Sequence, residues 1–152
     1  MKPKQTPIGR QLALTTKVVA RAFEDALAES GGSMPTWFVL LALVQQEHRA
    51  QTELAAAVGI QGPTLTHHLN GMEAEGLLTR TRDPENRRVH QVTLTQAGRT
   101  KFEQMKTAAV KFDKELRAGF SAQEIETLRD MLWRMEINVG SDGIDPFPPC
   151  AE

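Results

Sequence analysis

Cysteine occurs once in the 152 residues, at Cys150. One thiol excludes an intrachain disulfide framework and a cysteine-rich zinc site. Long apolar runs are missing too. The longest spans residues 37–44, far short of the roughly 20 residues needed to cross a bilayer, so no membrane partner is expected. Lys17 and its threonine neighbours break up what would be the apolar part of a secretory signal. There is no phosphate-binding glycine loop, no His-Glu metal motif, and no serine in a Gly-flanked elbow. No catalytic residue, metal or cofactor is therefore assigned, and the chain is not expected to be an enzyme.

What remains is the composition of one globular domain, 40% hydrophobic and 24% charged, expected in the cytoplasm. The net charge of −1 argues at first against a nucleic-acid binder. Its distribution does not. Residues 77–101 carry six basic side chains (Arg80, Arg82, Arg87, Arg88, Arg99 and Lys101) against Asp83 and Glu85, whereas residues 102–152 carry six basic against ten acidic. Such asymmetry suits one basic surface on an acidic protein. Charge alone leaves open an ordinary solvated face.

After a flexible lead over residues 1–7, a helical period runs through Ile8, Leu12, Val19, Phe23 and Leu27 towards Gly31 and Gly32. A second helix starts at Pro35 and includes the apolar run, so it is buried on most sides. A short alanine-rich helix over residues 52–58 stops at Gly59, and another runs from Gly62 to about Glu75, before Gly76. At about 100° per residue, Leu65, Leu69 and Met72 share one face of it. The opposite face holds Pro63, Thr66, His67, Asn70 and Gly71, and the helix has no Lys or Arg. A small, polar, uncharged face is prepared for close approach. Residues 77–82 and 88–94 read as two strands about an Asp83-Pro84 turn. Thr95 caps a long helix to about Arg117, and the Ser121–Glu124 capping box opens the last one, with the stripe Ile125, Leu128, Leu132 and Met135.

The order is that of a mainly α winged helix-turn-helix: a recognition helix for the major groove, then a two-stranded β-hairpin wing whose tip follows the backbone or enters the minor groove. The matching stretches are Thr52-Glu-Leu-Ala, Gly59-Ile-Gln-Gly-Pro-Thr-Leu-Thr, Glu73-Ala-Glu-Gly-Leu-Leu, Arg82-Asp-Pro-Glu-Asn-Arg-Arg, Leu94-Thr-Gln-Ala-Gly-Arg and Phe120-Ser-Ala-Gln-Glu. On these the chain resembles the multiple antibiotic resistance regulator (MarR) family. The resemblance implies one domain over residues 8–138, with a DNA-binding lobe at about 36–100 and dimerisation helices at about 8–30 and 96–138, then an irregular tail at 139–152.

Function follows from the same resemblance: a sequence-specific transcriptional regulator, expected to repress, binding a pseudo-palindromic operator in double-stranded DNA as a homodimer. The apolar stripes of the first and last two helices exceed what a domain of about 60 residues covers, which independently suits a dimer. Candidate DNA-binding residues are Gln61, Pro63, Thr64, Thr66, His67, His68, Asn70, Arg82, Arg87 and Arg88. In the family the wing usually reads Asp-x-Arg, the Asp orienting an Arg for the minor groove. Here the positions are Asn86 and Arg88, and Asp83 is a substitute for the missing acid. The family often has Arg at His67 and Ser at Gln61. It also implies a small aromatic or phenolic effector, with Phe23, Trp37 and Phe38 as pocket candidates, although residues such as Trp37 and Phe38 are more often core than pocket. His67 and His68, about 100° apart on a helix, are poorly placed to chelate. His48 and His90 read as surface or hydrogen-bonded histidines. The rival reading is a winged helix that binds protein without specific DNA binding.

Overall fold

The computed structural model describes residues 6–46 and 48–140. Most of the expected lead, most of the expected tail and Cys150 lie outside the described residues, as do the side chains of His48 and Arg49. The elements are α1 (Ile8–Glu29), α2 (Met34–Gln45), β1 (His48–Ala50), α3 (Gln51–Val58), α4 (Gly62–Ala74), β2 (Leu78–Arg82), β3 (His90–Leu94), α5 (Gln96–Leu116) and α6 (Ala122–Asn138). Among the described residues no single helix is long and apolar enough to cross a membrane.

Helix α2 is the centre of the core. Ser33 caps it by accepting from the Thr36 N–H, and Trp37 and residues 39–43 are all buried. Around it close Leu27 of α1, Leu54 of α3, Leu65, Leu69 and Met72 of α4, Leu78, Val92 and Leu94 of the sheet, and Phe102, Met105 and Ala109 of α5. Burying a helix that is apolar all round stabilises the fold in proportion to the apolar surface removed from water, at about 25 cal/mol per Å². Lys101 of α5 closes the α1–α2 corner, its ammonium donating to the carbonyls of Ser30 (3.0 Å) and Gly31 (2.7 Å), where α1 ends.

The sheet differs from a two-stranded hairpin. β1 adds a third strand, antiparallel to β3 (His48 opposite Thr93, Ala50 opposite Gln91), giving the order β1-β3-β2. Three residues are too few for a period-2 pattern to register. β3 also begins at His90 rather than Arg88. The Asp83 carboxylate accepts from the N–H groups of Glu85 (2.8 Å) and Asn86 (3.1 Å), and residues 83–89 form a loop closed by the Asp83 N–H donating to the Val89 carbonyl, so the return strand starts two residues late.

β2, β3, α4 and α5 meet at one junction. The Thr95 hydroxyl donates to the Gly76 carbonyl (2.6 Å) and accepts from the Gly98 N–H (3.0 Å), while the Thr95 N–H donates to the Leu77 carbonyl (3.1 Å). A Cβ at Gly98 would collide with the Leu77 carbonyl oxygen and Leu94.

Gly98→Ala is expected to destabilise the protein by about 1–3 kcal/mol in urea unfolding, because the obstacle is backbone that cannot move aside. Gly71→Ala in the interior of α4, where an added Cβ meets nothing within 4 Å, should stabilise by about 0.5–1 kcal/mol through helix propensity.

Candidate nucleic-acid interface

α3 and α4 are joined through Gly59, which adopts φ 74° and ends α3 in a left-handed cap. The Gln51 amide, at the start of α3, donates to the Thr66 hydroxyl of α4 at 2.7 Å, and that hydroxyl donates in turn to the Gly62 carbonyl at 3.0 Å. This bond locks the two helices together. It also changes the reading of Thr66, which is half-buried with its hydroxyl engaged inside the protein. Gln61, Pro63, Thr64, His67 and Asn70 are exposed, and His68 is half-buried. The His67 and His68 rings stand edge-on with centroids 5.7 Å apart. Gln61 occupies the N-cap position but makes no side-chain cap.

The wing supplies the positive charge. Arg82, Arg87 and Arg88 are all exposed. Arg82 sits opposite His90 in the β2–β3 register. Arg88 and His90 line a hollow of about 200 Å³ together with Gln51, Thr52, Gly62 and Thr66. The wing root therefore meets the first turns of both α3 and α4. Sequence reasoning had not grouped Gln51, Thr52 and His90 with the site. The signal for His90 is the strand register, which puts it across from Arg82.

Two charged residues do other work. Arg80 of β2 is bound by Glu73 of α4, with its Nη2 2.7 Å and its Nε 3.1 Å from Oε2. These side-chain bonds hold the Glu73 carboxyl below its ordinary pKa, against a smaller opposing effect of burial. Asp83 does not pair with Arg88. One carboxylate oxygen takes the Glu85 and Asn86 amides and the other takes the Gln91 amide at 3.2 Å. Asn86 steadies the Arg88 backbone instead, accepting from its N–H at 3.2 Å.

The three aromatic pocket candidates are spread through the core and its edge. Trp37 is 3% exposed and stacked on Phe102, ring centroids 5.3 Å apart and planes 5° from parallel, so it is a core residue. Phe23 is half-buried against Phe112 at 5.1 Å, and Phe38 packs on the core margin.

A recognition helix without lysine or arginine, locked to its partner helix and flanked by a cationic wing, defines a winged helix-turn-helix DNA-binding protein. The MarR family model matches residues 33–90. The uncharacterized HTH-type transcriptional regulator YdgJ of Bacillus subtilis (strain 168) is 34% identical over 131 residues, covering 86% of this chain and 78% of the relative. The solved structure of the transcriptional repressor CouR bound to a 23-mer DNA duplex superposes with a TM-score of 0.78 at 29% identity, over 85% of this chain and 92% of that one. BpsR of Bordetella bronchiseptica, whose DNA binding is regulated by 6-hydroxynicotinic acid, gives a TM-score of 0.76 at 25% identity, over 85% and 98%. The chain belongs to the MarR family and is a transcriptional regulator of that family.

The Asp83 turn can be tested without DNA. Its backbone hydrogen bonds lower the Asp83 pKa. The order they confer is complete above the unfolded-state pKa, near 4, and is lost as pH falls through the lower folded value. Hydrogen exchange at the Glu85 and Asn86 amides should be slowed at neutral pH and speed up in Asp83→Ala. Asp83→Asn, which keeps an acceptor oxygen, should retain most of the protection. Equal exchange in all three proteins would remove Asp83 from the account of the wing.

Proposed function

We propose that the protein is a homodimeric repressor that binds a pseudo-palindromic operator and leaves it when a small aromatic or phenolic ligand binds. The observation that carries the DNA-binding part is the hollow in which Arg88 of the wing meets the first turns of α3 and α4. A backbone phosphate beside Arg88, with α4 in the adjacent major groove, satisfies both elements at once. Thr64, His67, His68 and Asn70, with Gln61 and Pro63 at the helix start, face base edges, and Thr66 holds the helix at its angle. Arg82, Arg87 and Arg88 contact phosphates or the minor groove.

The dimer reading is supported by the faces that one chain leaves uncovered. No residue of α6 is buried. Leu128, Met131 and Trp133 of α6 are about half exposed, as are Leu14 of α1 and Phe120 between α5 and α6, and Val18 is 70% exposed. Two-fold pairing through these helices sets half-site centres about one helical turn, roughly 10 bp, apart. The repressor and effector parts are supported by CouR and BpsR as relatives, with Phe23 and Phe38 as the accessible aromatics near α1 and α2.

Sedimentation of Leu128→Asp, Trp133→Asp should give a folded monomer with at least tenfold weaker operator binding, because each carboxylate would be buried against apolar surface. A monomer that binds the full operator as tightly as the wild type would overturn the dimer.

Fluorescence anisotropy across a salt series tests the interface. Arg87→Ala should weaken all DNA alike and lower the slope of log affinity against log salt by about 0.9 for each phosphate left without its cation. Arg88→Ala should also lose preference for A·T-rich flanks, where a narrow minor groove attracts arginine. Thr64 and His67 variants should change the preferred half-site at nearly constant slope. If both arginine variants leave affinity and slope unchanged, the wing does not bind DNA and the protein-interaction reading replaces this one.

A further inference from the structure

Arg80 lies on β2 beside the recognition helix, and four hydrogen bonds fix it. Its backbone N–H donates to Glu73 Oε1 at 2.9 Å, and its Nε and Nη2 donate to Glu73 Oε2 at 3.1 and 2.7 Å. Nη2 also reaches Asn70, with 2.6 Å to Oδ1. A guanidinium has donors only, so the Asn70 atom facing it has to be the carboxamide oxygen. Arg80 thereby fixes which way the Asn70 amide is turned. Asn70 is exposed on α4, and among the described residues its Nδ2 amine has no partner.

We propose that Arg80 is a specificity-determining positioning residue, which holds the Asn70 oxygen and so makes Asn70 a hydrogen-bond donor that selects guanine in the major groove. An unconstrained asparagine favours adenine, donating to N7 and accepting from the N6 amine. Here the oxygen already accepts from a charged donor, and the lone pair left over is a weaker acceptor for the adenine N6 amine. Guanine asks only for a donor, since N7 and O6 are both acceptors. Glu73 takes part indirectly by holding the guanidinium, and Arg80 itself contributes no cation to the phosphates. This inference rests on the DNA-reading role of α4 proposed above.

The test is selection of duplexes from a random pool with the full-length protein, followed by the same selection with Asn70→Ala and Arg80→Lys. The wild type should enrich guanine at one position per half-site, and Asn70→Ala should lose that enrichment at that position alone. Arg80→Lys keeps an ammonium for Glu73 but loses the second arm that reaches Asn70, so the same position should shift towards adenine. A merely structural role for Arg80 would weaken all sequences alike and shift no base. That result, or adenine at the Asn70-dependent position in the wild type, overturns the proposal.

A second measurement needs no variant. Replacing the selected guanine by 7-deazaguanine removes the N7 acceptor, and 6-thioguanine weakens the acceptor at position 6; at least one of the two should weaken wild-type binding about 3- to 10-fold, and no loss with either overturns the proposal. A wild type that enriches no sequence defeats the DNA reading and this inference together. Enrichment insensitive to Asn70→Ala defeats this inference alone.

Discussion

The junction at Thr95 is the point on which the rest of the molecule hangs. One hydroxyl joins the end of α4, at the Gly76 carbonyl, to the first turn of α5, at the Gly98 amide. The Thr95 amide joins that turn to Leu77, where β2 begins. The missing side chain at Gly98 lets the α5 backbone come against Leu77. Recognition helix, wing and the long α5 are thus fixed to one another within a few residues. The orientation of α4 and the wing relative to α5 is therefore set within the chain itself.

Electrostatics divide the interface into two parts with different tasks. α4 has no Lys or Arg, and the nearest guanidinium, Arg80, is neutralised by Glu73. The exposed cations are instead Arg82, Arg87 and Arg88 on the wing. A helix without cations gains little from phosphate on non-specific DNA, so a larger share of its discrimination has to come from hydrogen bonds and shape. In the proposed interface the wing provides affinity, which varies with salt, and the helix provides sequence preference.

Much of this was legible in the sequence, for reasons that differ between elements. The helices announce themselves by periodicity and by their ends: Gly59 stops α3, Gly76 follows α4, and the Ser121–Glu124 box forms with both of its bonds. The buried face Leu65, Leu69 and Met72 follows from spacing alone. β1 was not legible, because three residues with no alternation become a strand only when β3 offers them partners. Nor was the destination of Arg80 or Asp83. A charged residue in a basic stretch looks the same whether it faces phosphate or Glu73, and only the β2–α4 geometry decides. Trp37 shows the same limit, since an aromatic residue in an apolar run suits both a core and a ligand pocket, and only the structure shows it buried and stacked on Phe102.

Glu73 has one more effect, on how the molecule behaves in a crowd. β3 is the central strand, so β2 and β1 are the edges of the sheet. An open edge invites pairing with strands of other molecules. β1 offers only three residues for such pairing. On β2 the Arg80 N–H is already taken by the Glu73 carboxylate, which blocks the strand at its midpoint. A threonine-rich ribbon that projects into solvent to meet DNA is by this means a poor template for edge-to-edge aggregation.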